Sequence, residues 1–358
     1  MIEFKKDPKI IIIISLAILN IFSLLSLYSS IYYEFELQSS IFYKQILWFI
    51  FGWIFLIIFY FINYRLYYNL TIPLYIFTLL LLFLVDIFGK TVMGSQRWLS
   101  IGGFNLQPSE LSKITTIFIL AKFFSKDRKI NFRKILFVLT LILINVFLIY
   151  KQPDLGSGLL IVFLFFFIGF NSGVKKIYFI VLILFGIVFL PFAFKNLKEY
   201  QKKRLLVFLN PDMDPLGAGY TIIQSKIAIG SGKIFGKGFL GGTQNQFNFL
   251  PERHTDFIFT VIAEEWGFLG SIFLILIYYI ILKKILDIFS QLKDVYAKFL
   301  CLGIGVNIFL HVFINISMTM GILPVVGIPL PFISYGGSHL VSGFILIGIF
   351  FNISKQTY

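Results

Sequence analysis

Apolar runs long enough to cross a bilayer recur along almost the whole chain, separated by short polar connections. Ten are read as spans: about 10–28, 41–62, 70–88, 109–124, 133–150, 155–170, 177–194, 257–282, 297–320 and 331–352. The runs at 109–124 and 155–170 fall just short of the usual 17-residue minimum, so their ends are the least sharply defined. The pattern predicts an all-α, polytopic integral membrane protein with about ten transmembrane helices. The first run, Ile10 to about Leu27, lacks a small-residue cleavage site and is followed by further spans, so it is read as a retained helix.

The connection at 195–256 is different. It is long and holds no 17-residue apolar run. Its middle, GYTIIQSKIAIGSGKIFGKGFLGG, has short apolar pieces broken by glycines. A re-entrant or interfacial segment fits better than a flexible loop, which would need fewer isoleucines and phenylalanines. GSGKIFGKG at 230–238 superficially resembles a phosphate loop but lacks the Walker spacing.

Composition agrees with lipid as the main solvent. Of 358 residues, 58% are hydrophobic and 13% charged, where a soluble domain carries about 25% charged; mean hydropathy is +0.89. Cys301 is the single cysteine, which excludes an intrachain disulfide. A net charge of +14 would suggest nucleic acid in a soluble protein. Here the basic residues lie between apolar runs, where topology and anionic membrane lipids account for them, and no nucleic-acid partner is read. Seventeen Lys and Arg residues fall in the N-terminus and alternate connections. Four (Lys44, Lys90, Arg97 and Lys151) fall in the short connections opposite. That bias puts both termini in the cytoplasm and the loop at 195–256, between helices 7 and 8, outside.

Polar residues then interrupt the pattern at four places. In GSQRWLSIGGFNLQPSELSKI (94–114), Pro108 suits a helix start and Glu110 suits its first turn. Lys113 is then either the i,i+3 salt-bridge partner of Glu110 or, with Arg97 and Gln107, part of a cavity accepting an anionic group. Asp154, in KQPDLGSG, reads as a helix cap. Glu264 and Glu265 lie two turns inside a span; adjacent residues cannot share a helix face, so at least one turns to a polar interior, structural or functional. GILPVVGIPLPFISYGGS (321–338) reads as a broken helix lining a site. In FLPERHTDFIF (249–259), Thr255 or Asp256 can cap the next helix, which leaves Glu252, Arg253 and His254 unexplained. A carboxylate at the membrane surface suits proton abstraction from a hydroxyl, and equally a proton-coupled transport gate.

Five ordered blocks then carry a resemblance: QRWLSIGGFNLQPSELSKI at 96–114, QPDLGSG at 152–158, DPLGAGYTIIQSKIAIGSGKIFGKG at 214–238, LPERHTDFIFTVIAEEWGFLG at 250–270 and LPVVGIPLPFISYGGS at 323–338. Nearly end to end, the chain resembles the shape, elongation, division and sporulation (SEDS) family. The wording GTQNQFNFLPERHTDF and the LPVVG step favour its elongation branch. The resemblance implies one SEDS-type transmembrane domain over 1–358, without extra domains. It implies a glycosyltransferase that polymerises lipid II into β-1,4 glycan strands outside the bacterial cytoplasmic membrane. Asp256 is then the catalytic residue, and Arg97, Glu110 and Lys113 match the family's charged set. With them Gln107, Glu252, Arg253 and His254 become candidate substrate-binding residues, and Pro329, Pro331, Ser334, Gly336 and Gly337 shape the site. No metal-ligand cluster is visible, although a divalent cation such as Mg2+ could share the diphosphate charge. The implied partners are lipid II and the growing strand, a class B penicillin-binding transpeptidase, and rod-complex proteins linked to the actin-like cytoskeleton. The rival readings are a lipid II flippase or other proton-coupled transporter, and a non-catalytic scaffold for the transpeptidase.

Overall fold

Short polar residues set the helix starts, as expected from the free amides of a first turn. In the computed structural model, Asp7 accepts from Lys9 N (3.0 Å) to open α1, Pro8–Ile31. A single 3-10 turn, Tyr32–Glu34, leads into α2, Phe35–Phe61. Asn63 caps α3, Tyr64–Phe88. Pro108 begins α4, Pro108–Lys126. Asn131 caps α5, Phe132–Lys151, and Asp154 caps α6, Leu155–Phe170. Then follow α7, Lys176–Lys195, and three helices within the expected outer loop: α8, Glu199–Leu209; α9, Ala218–Ser231; and α10, Thr243–Gln246. The chain ends with α11, Ile258–Gln291, α12, Val295–Thr319, and α13, Gly337–Ser354. The structure describes residues 7–92, 95–101, 104–126, 131–195, 197, 199–215, 217–247 and 249–357. Lys5, Lys6, Arg128 and Lys129, which enter the charge count above, lie outside them, as does Gly94.

Each expected span coincides with a helix, with two differences. The span expected at 331–352 begins six residues later, because Pro329 and Pro331 cannot join a helical ladder and Phe332 takes a left-handed φ of 61°. The all-α expectation also missed a small sheet. Strands β1, Lys90–Val92, β2, Ser95–Ile101, and β3, Phe104–Leu106, form an antiparallel sheet in the order β1-β2-β3, with Leu99 opposite Leu106. It leads directly into α4.

Among the described residues, five helical stretches are long and apolar enough to cross a membrane, against the ten expected: Pro8–Phe61, Tyr64–Phe88, Phe132–Lys151, Val295–Thr319 and Gly337–Ser354. The first of these contains two helices, α1 and α2. Leu155–Phe170 and Lys176–Val188 are apolar but shorter. Charged residues lower the hydropathy of α4, which carries Glu110 and Lys113, and α11 is interrupted at Gly267, where φ is 65°. The chain is thus a helical, multi-pass membrane protein.

The chain divides into two compact units: Met1–Phe49, Phe189–Lys284 and His311–Gly336 form one; Ile50–Val188, Ile285–Leu310 and Gly337–Tyr358 form the other. In the first, α1 buries Ile12, Leu16, Leu19 and Leu27, and Ser23 donates to Ile333 O (2.6 Å). In the second, α13 lies so close to α2 that a Cβ at Gly348 would stand 2.5 Å from Leu56 O. Small residues permit this kind of helix approach where lipid supplies no hydrophobic drive between helices.

Candidate active site

The candidate residues fall into two groups, one in each unit. The first group is built on the turn that precedes α11. Glu252 adopts a left-handed φ of 55°, and its carbonyl accepts from Thr255 N (3.1 Å) and Phe257 N (3.2 Å). Its carboxylate accepts from the Thr255 hydroxyl at 2.8 Å. The turn thus holds itself closed and delivers Asp256 to the mouth of α11.

Three outside attachments fix this turn. Arg253 is 8% exposed and reaches the C-terminus of α1, where its Nε donates to Ser30 O (2.6 Å) and its guanidinium pairs with Glu34 (3.5 Å). Tyr335 N donates to His254 O (3.0 Å), and the Ser334 hydroxyl donates to Thr255 O (2.7 Å). Asn315, fully buried on α12, gives its amide to Asp256 O (2.9 Å) and to Ile328 O (2.7 Å). Gly327 adopts a φ of 74°, and a Cβ there would lie 3.3 Å from Asp256 Oδ2. The carboxylate therefore lies against the backbone of the proline-rich segment.

That segment is the broken stretch the sequence suggests. Its backbone groups are met by protein, as burial at membrane depth requires. Leu330 N donates to the Ser334 hydroxyl (2.8 Å), Tyr278 donates to Pro331 O, and Gln45 reaches Ser334 O (3.4 Å). Pro329, Pro331, Ser334 and Gly336 all belong to it.

Glu264 and Glu265 also have definite partners. Glu264, with no exposure, accepts from Lys237 Nζ (2.8 Å), Thr243 Oγ1 (3.2 Å), Gln244 N (3.0 Å) and Asn245 Nδ2 (2.6 Å). Glu265 accepts from the Ser29 hydroxyl of α1.

His254 follows Glu252 and Arg253 in the turn and packs edge-on against Tyr335. Burial lowers its pKa; the Glu252 charge opposes that shift and the Arg253 charge adds to it. The folded-state value therefore lies below that of an unfolded histidine, about 6.5. Acid protonates the unfolded chain first, so stability present above about pH 6.5 is lost as pH falls. In detergent, thermal stability should decline between about pH 7 and pH 5. His254→Phe should make that decline shallower, and an unchanged slope would assign the loss to other groups.

The second group gathers where β2 and the starts of α4, α6 and α13 meet. Arg97 on β2 donates to Gln152 O (3.2 Å) and Pro153 O and lies 3.8 Å from Asp154. Asp154 accepts from Gln107 (3.2 Å) and Ser109 (3.1 Å) while capping α6 through Ser157 N (3.2 Å). Glu110 and Lys113 form the i,i+3 ion pair at 2.8 Å, with side chains 5% and 3% exposed. Ser342 donates to Glu110 (2.9 Å), and His339 Nδ1 lies 3.5 Å from it. Gly337, the first residue of α13, belongs to this unit, where Ser338 receives Gln107 N (3.0 Å) and donates to Asn105 O (2.9 Å).

Sequence reasoning did not single out Asn315, His339 or Ser342. Asn315 shares the largely apolar α12 with Asn307 and His311, and such residues were a usable signal, since a polar group in a membrane helix needs a partner. Among the described residues, no three or more His, Cys, Asp or Glu side chains are placed to hold a metal ion.

A family profile described as cell cycle protein, covering FtsW, RodA and SpoVE, matches residues 9–358. The peptidoglycan glycosyltransferase MrdB of Escherichia coli K12 is 43% identical over 270 residues, 75% of this chain and 73% of that protein. The peptidoglycan glycosyltransferase RodA of Treponema pallidum is 30% identical over 98% of both chains. A chain from a solved structure described as "Structural coordination of polymerization and crosslinking by a peptidoglycan synthase complex" superposes with a TM-score of 0.83 at 27% identity, covering 97% of each chain. Rod shape determining protein RodA of Thermus thermophilus shares the fold, with a TM-score of 0.72 over 97% of this chain and 96% of that one at 24% identity. The chain belongs to the FtsW, RodA and SpoVE family.

Proposed function

We propose that the chain is a peptidoglycan glycosyltransferase that polymerises lipid II into β-1,4 glycan strands for cell elongation and rod shape. The observation that carries the site assignment is the placement of Asp256. Its carboxylate lies against Gly327 while its carbonyl and the two preceding ones are held by Asn315, Ser334 and Tyr335. A carboxylate fixed at this point at the head of a membrane helix is pre-organised for proton abstraction.

Asp256 takes the proton from the C4 hydroxyl of the acceptor N-acetylglucosamine. The freed oxygen attacks C1 of the donor N-acetylmuramic acid, with inversion. The bond from C1 to the diphosphate oxygen breaks, and undecaprenyl diphosphate leaves with the electron pair. By resemblance, Arg97 and Lys113 offset the charge growing on that diphosphate. Gln107 and Glu110 orient those cations, while Glu252 and His254 flank the base. Arg253, anchored on α1, holds the turn in place rather than meeting substrate.

The topology that suits this chemistry has ten spans, α1–α7 and α11–α13. Both termini are then in the cytoplasm of a bacterial inner-membrane protein, with α8–α10 outside. The working assembly is a peptidoglycan synthase complex. Within it, a class B penicillin-binding transpeptidase crosslinks the strands and rod-complex proteins guide the pair.

Reconstitution tests the proposal. Purified protein given lipid II should make glycan strands without nucleotide. Rapid lipid II flipping with no polymer would assign the chain to the transporter class instead. Polymer made only when the transpeptidase partner is itself active would make it a scaffold.

A further inference from the structure

The glycine-rich stretch at 230–238 has no part in the reaction above. Its amides are not arranged to cradle an anion, because they serve the protein. Gly236 N donates to Gly232 O (2.8 Å), Lys237 N to Glu264 O (3.0 Å) and Gly238 N to Glu265 O (3.0 Å). The last two bonds reach α11 just where that helix is interrupted. At Gly267 φ is 65° and ψ is −158°. In an unbroken helix Phe268 N and Leu269 N would face the carbonyls of Glu264 and Glu265. They donate instead to Lys233 O (2.9 Å) and Ile234 O (3.1 Å). Four main-chain bonds thus join the loop to the break, two in each direction.

Only glycine permits this fit. A Cβ at Gly236 would stand 2.1 Å from Glu265 O, and one at Gly267 would stand 2.3 Å from Gly236 N. Side chains add a second connection. Glu264 holds Lys237 and, through Thr243, Gln244 and Asn245, the first turn of α10. From Asn245 the chain runs out through the Asp256 turn and returns along α11 to Glu264. Both ends of that excursion are therefore tied at one carboxylate. The upper part of α11, which begins two residues after Asp256, takes its direction from this loop as well as from the rest of the helix.

We propose that Lys237, Glu264 and the glycine joint at Gly236 and Gly267 are positioning elements for Asp256. The loop docks into the break and sets the direction of the helical turn that carries the base. This inference rests on Asp256 being that base. The contrasting reading is that the lysines of this loop bind an anionic lipid headgroup at the membrane surface. The two lysines separate the readings. Lys237 is paired with Glu264, whereas Lys233 has an exposed side chain and contributes its backbone carbonyl to the joint.

The experiment uses the full chain in detergent with lipid II as substrate, and turnover is counted per folded molecule. Glu264→Gln and Lys237→Met should each lower kcat, Glu264→Gln by up to about 10²-fold, the loss expected from a misplacement near 1 Å. KM should stay near the parent value, since substrate binding is not the part disturbed. The double variant should be no worse than Glu264→Gln alone, because both changes break one link. Lys233→Gln should behave as the parent. Should Glu264→Gln fail to fold, Lys237→Met carries the test, since its side chain is partly exposed. A raised KM with unchanged kcat, equal for Lys233→Gln and Lys237→Met, would overturn positioning in favour of headgroup binding. Normal kcat in both pair variants would leave the joint a purely structural feature and overturn the proposal. Asp256→Asn is run beside them. If it is inactive while the pair variants are normal, only the positioning inference fails; if it is active, the base assignment fails.

Discussion

Asp256→Asn should insert and fold normally while losing glycan polymerisation by about 10²–10⁴-fold, the span associated with removing a general base. The expectation of normal folding comes from the contacts. Asn315 bonds the Asp256 carbonyl, and Tyr335 and Ser334 bond the two residues before it, all through main-chain oxygens that the substitution keeps. Asparagine keeps the size and the helix-capping ability of aspartate, so the opening of α11 is preserved. The control is Glu252→Gln, the nearest alternative carboxylate in sequence. Its Oε2 accepts from the Thr255 hydroxyl, a bond an amide oxygen can also accept. Turnover should therefore fall much less. Activity retained by Asp256→Asn but lost in Glu252→Gln would move the base to Glu252. Activity retained by both would leave the motif as a helix start only. Lipid II binding by the Asp256→Asn variant should persist, because the change leaves every backbone tie of the turn in place.

How far the sequence announced this arrangement depends on the range of the forces involved. Helix positions were legible because apolar run length is a local property and because caps such as Asn63, Asn131 and Asp154 act within three residues. The sheet at 90–106 was not legible. Two of its strands have three residues, too few for a period-two pattern to show, and pairing with neighbours defines them. The prolines mark the broken segment, yet the apolar pattern starts the last span at 331 because Phe332 and Ile333 are apolar. Nothing local reveals that Phe332 is left-handed.

The site was legible as residue types and not as partnerships. The sequence shows that Glu264 and Glu265 need partners in a membrane helix. It does not show that Glu264 finds them in Lys237 and the start of α10, 19 to 27 residues upstream, or that Glu265 finds Ser29 on α1. Arg253 stands close to Asp256 in sequence as a candidate toward substrate, and its contacts with Ser30 O and Glu34 on the α1 side are likewise invisible in the sequence. Adjacent residues in a turn point in different directions, and only the fold decides which of them face the substrate.

The second large effect is expected at the buried ion pair of α4. Glu110→Ala leaves the Lys113 ammonium in a position only 2% exposed, without the carboxylate 2.8 Å away. Removing one member of a buried pair costs about 3–5 kcal/mol, because the remaining charge stays desolvated. Folded yield should fall sharply, and thermal unfolding in detergent should shift down. Low activity in that variant alone would say nothing about the reaction. The double change Glu110→Leu with Lys113→Met removes both charges and refills most of the volume. Replacing both members of such a pair with apolar residues is often neutral or stabilising. Folded yield should therefore return, although Ser342 and His339 lose the oxygen they face. Turnover per folded molecule then isolates the chemistry. If Lys113 supplies charge to the leaving diphosphate, the refolded double variant should remain slower by about 10²-fold or more, the scale of losing one pre-organised donor. Recovery of near-parental turnover along with folding would make the pair a structural clasp between α4 and α13. Arg97, whose side chain is more exposed at 18%, would then be left as the candidate cation for the diphosphate.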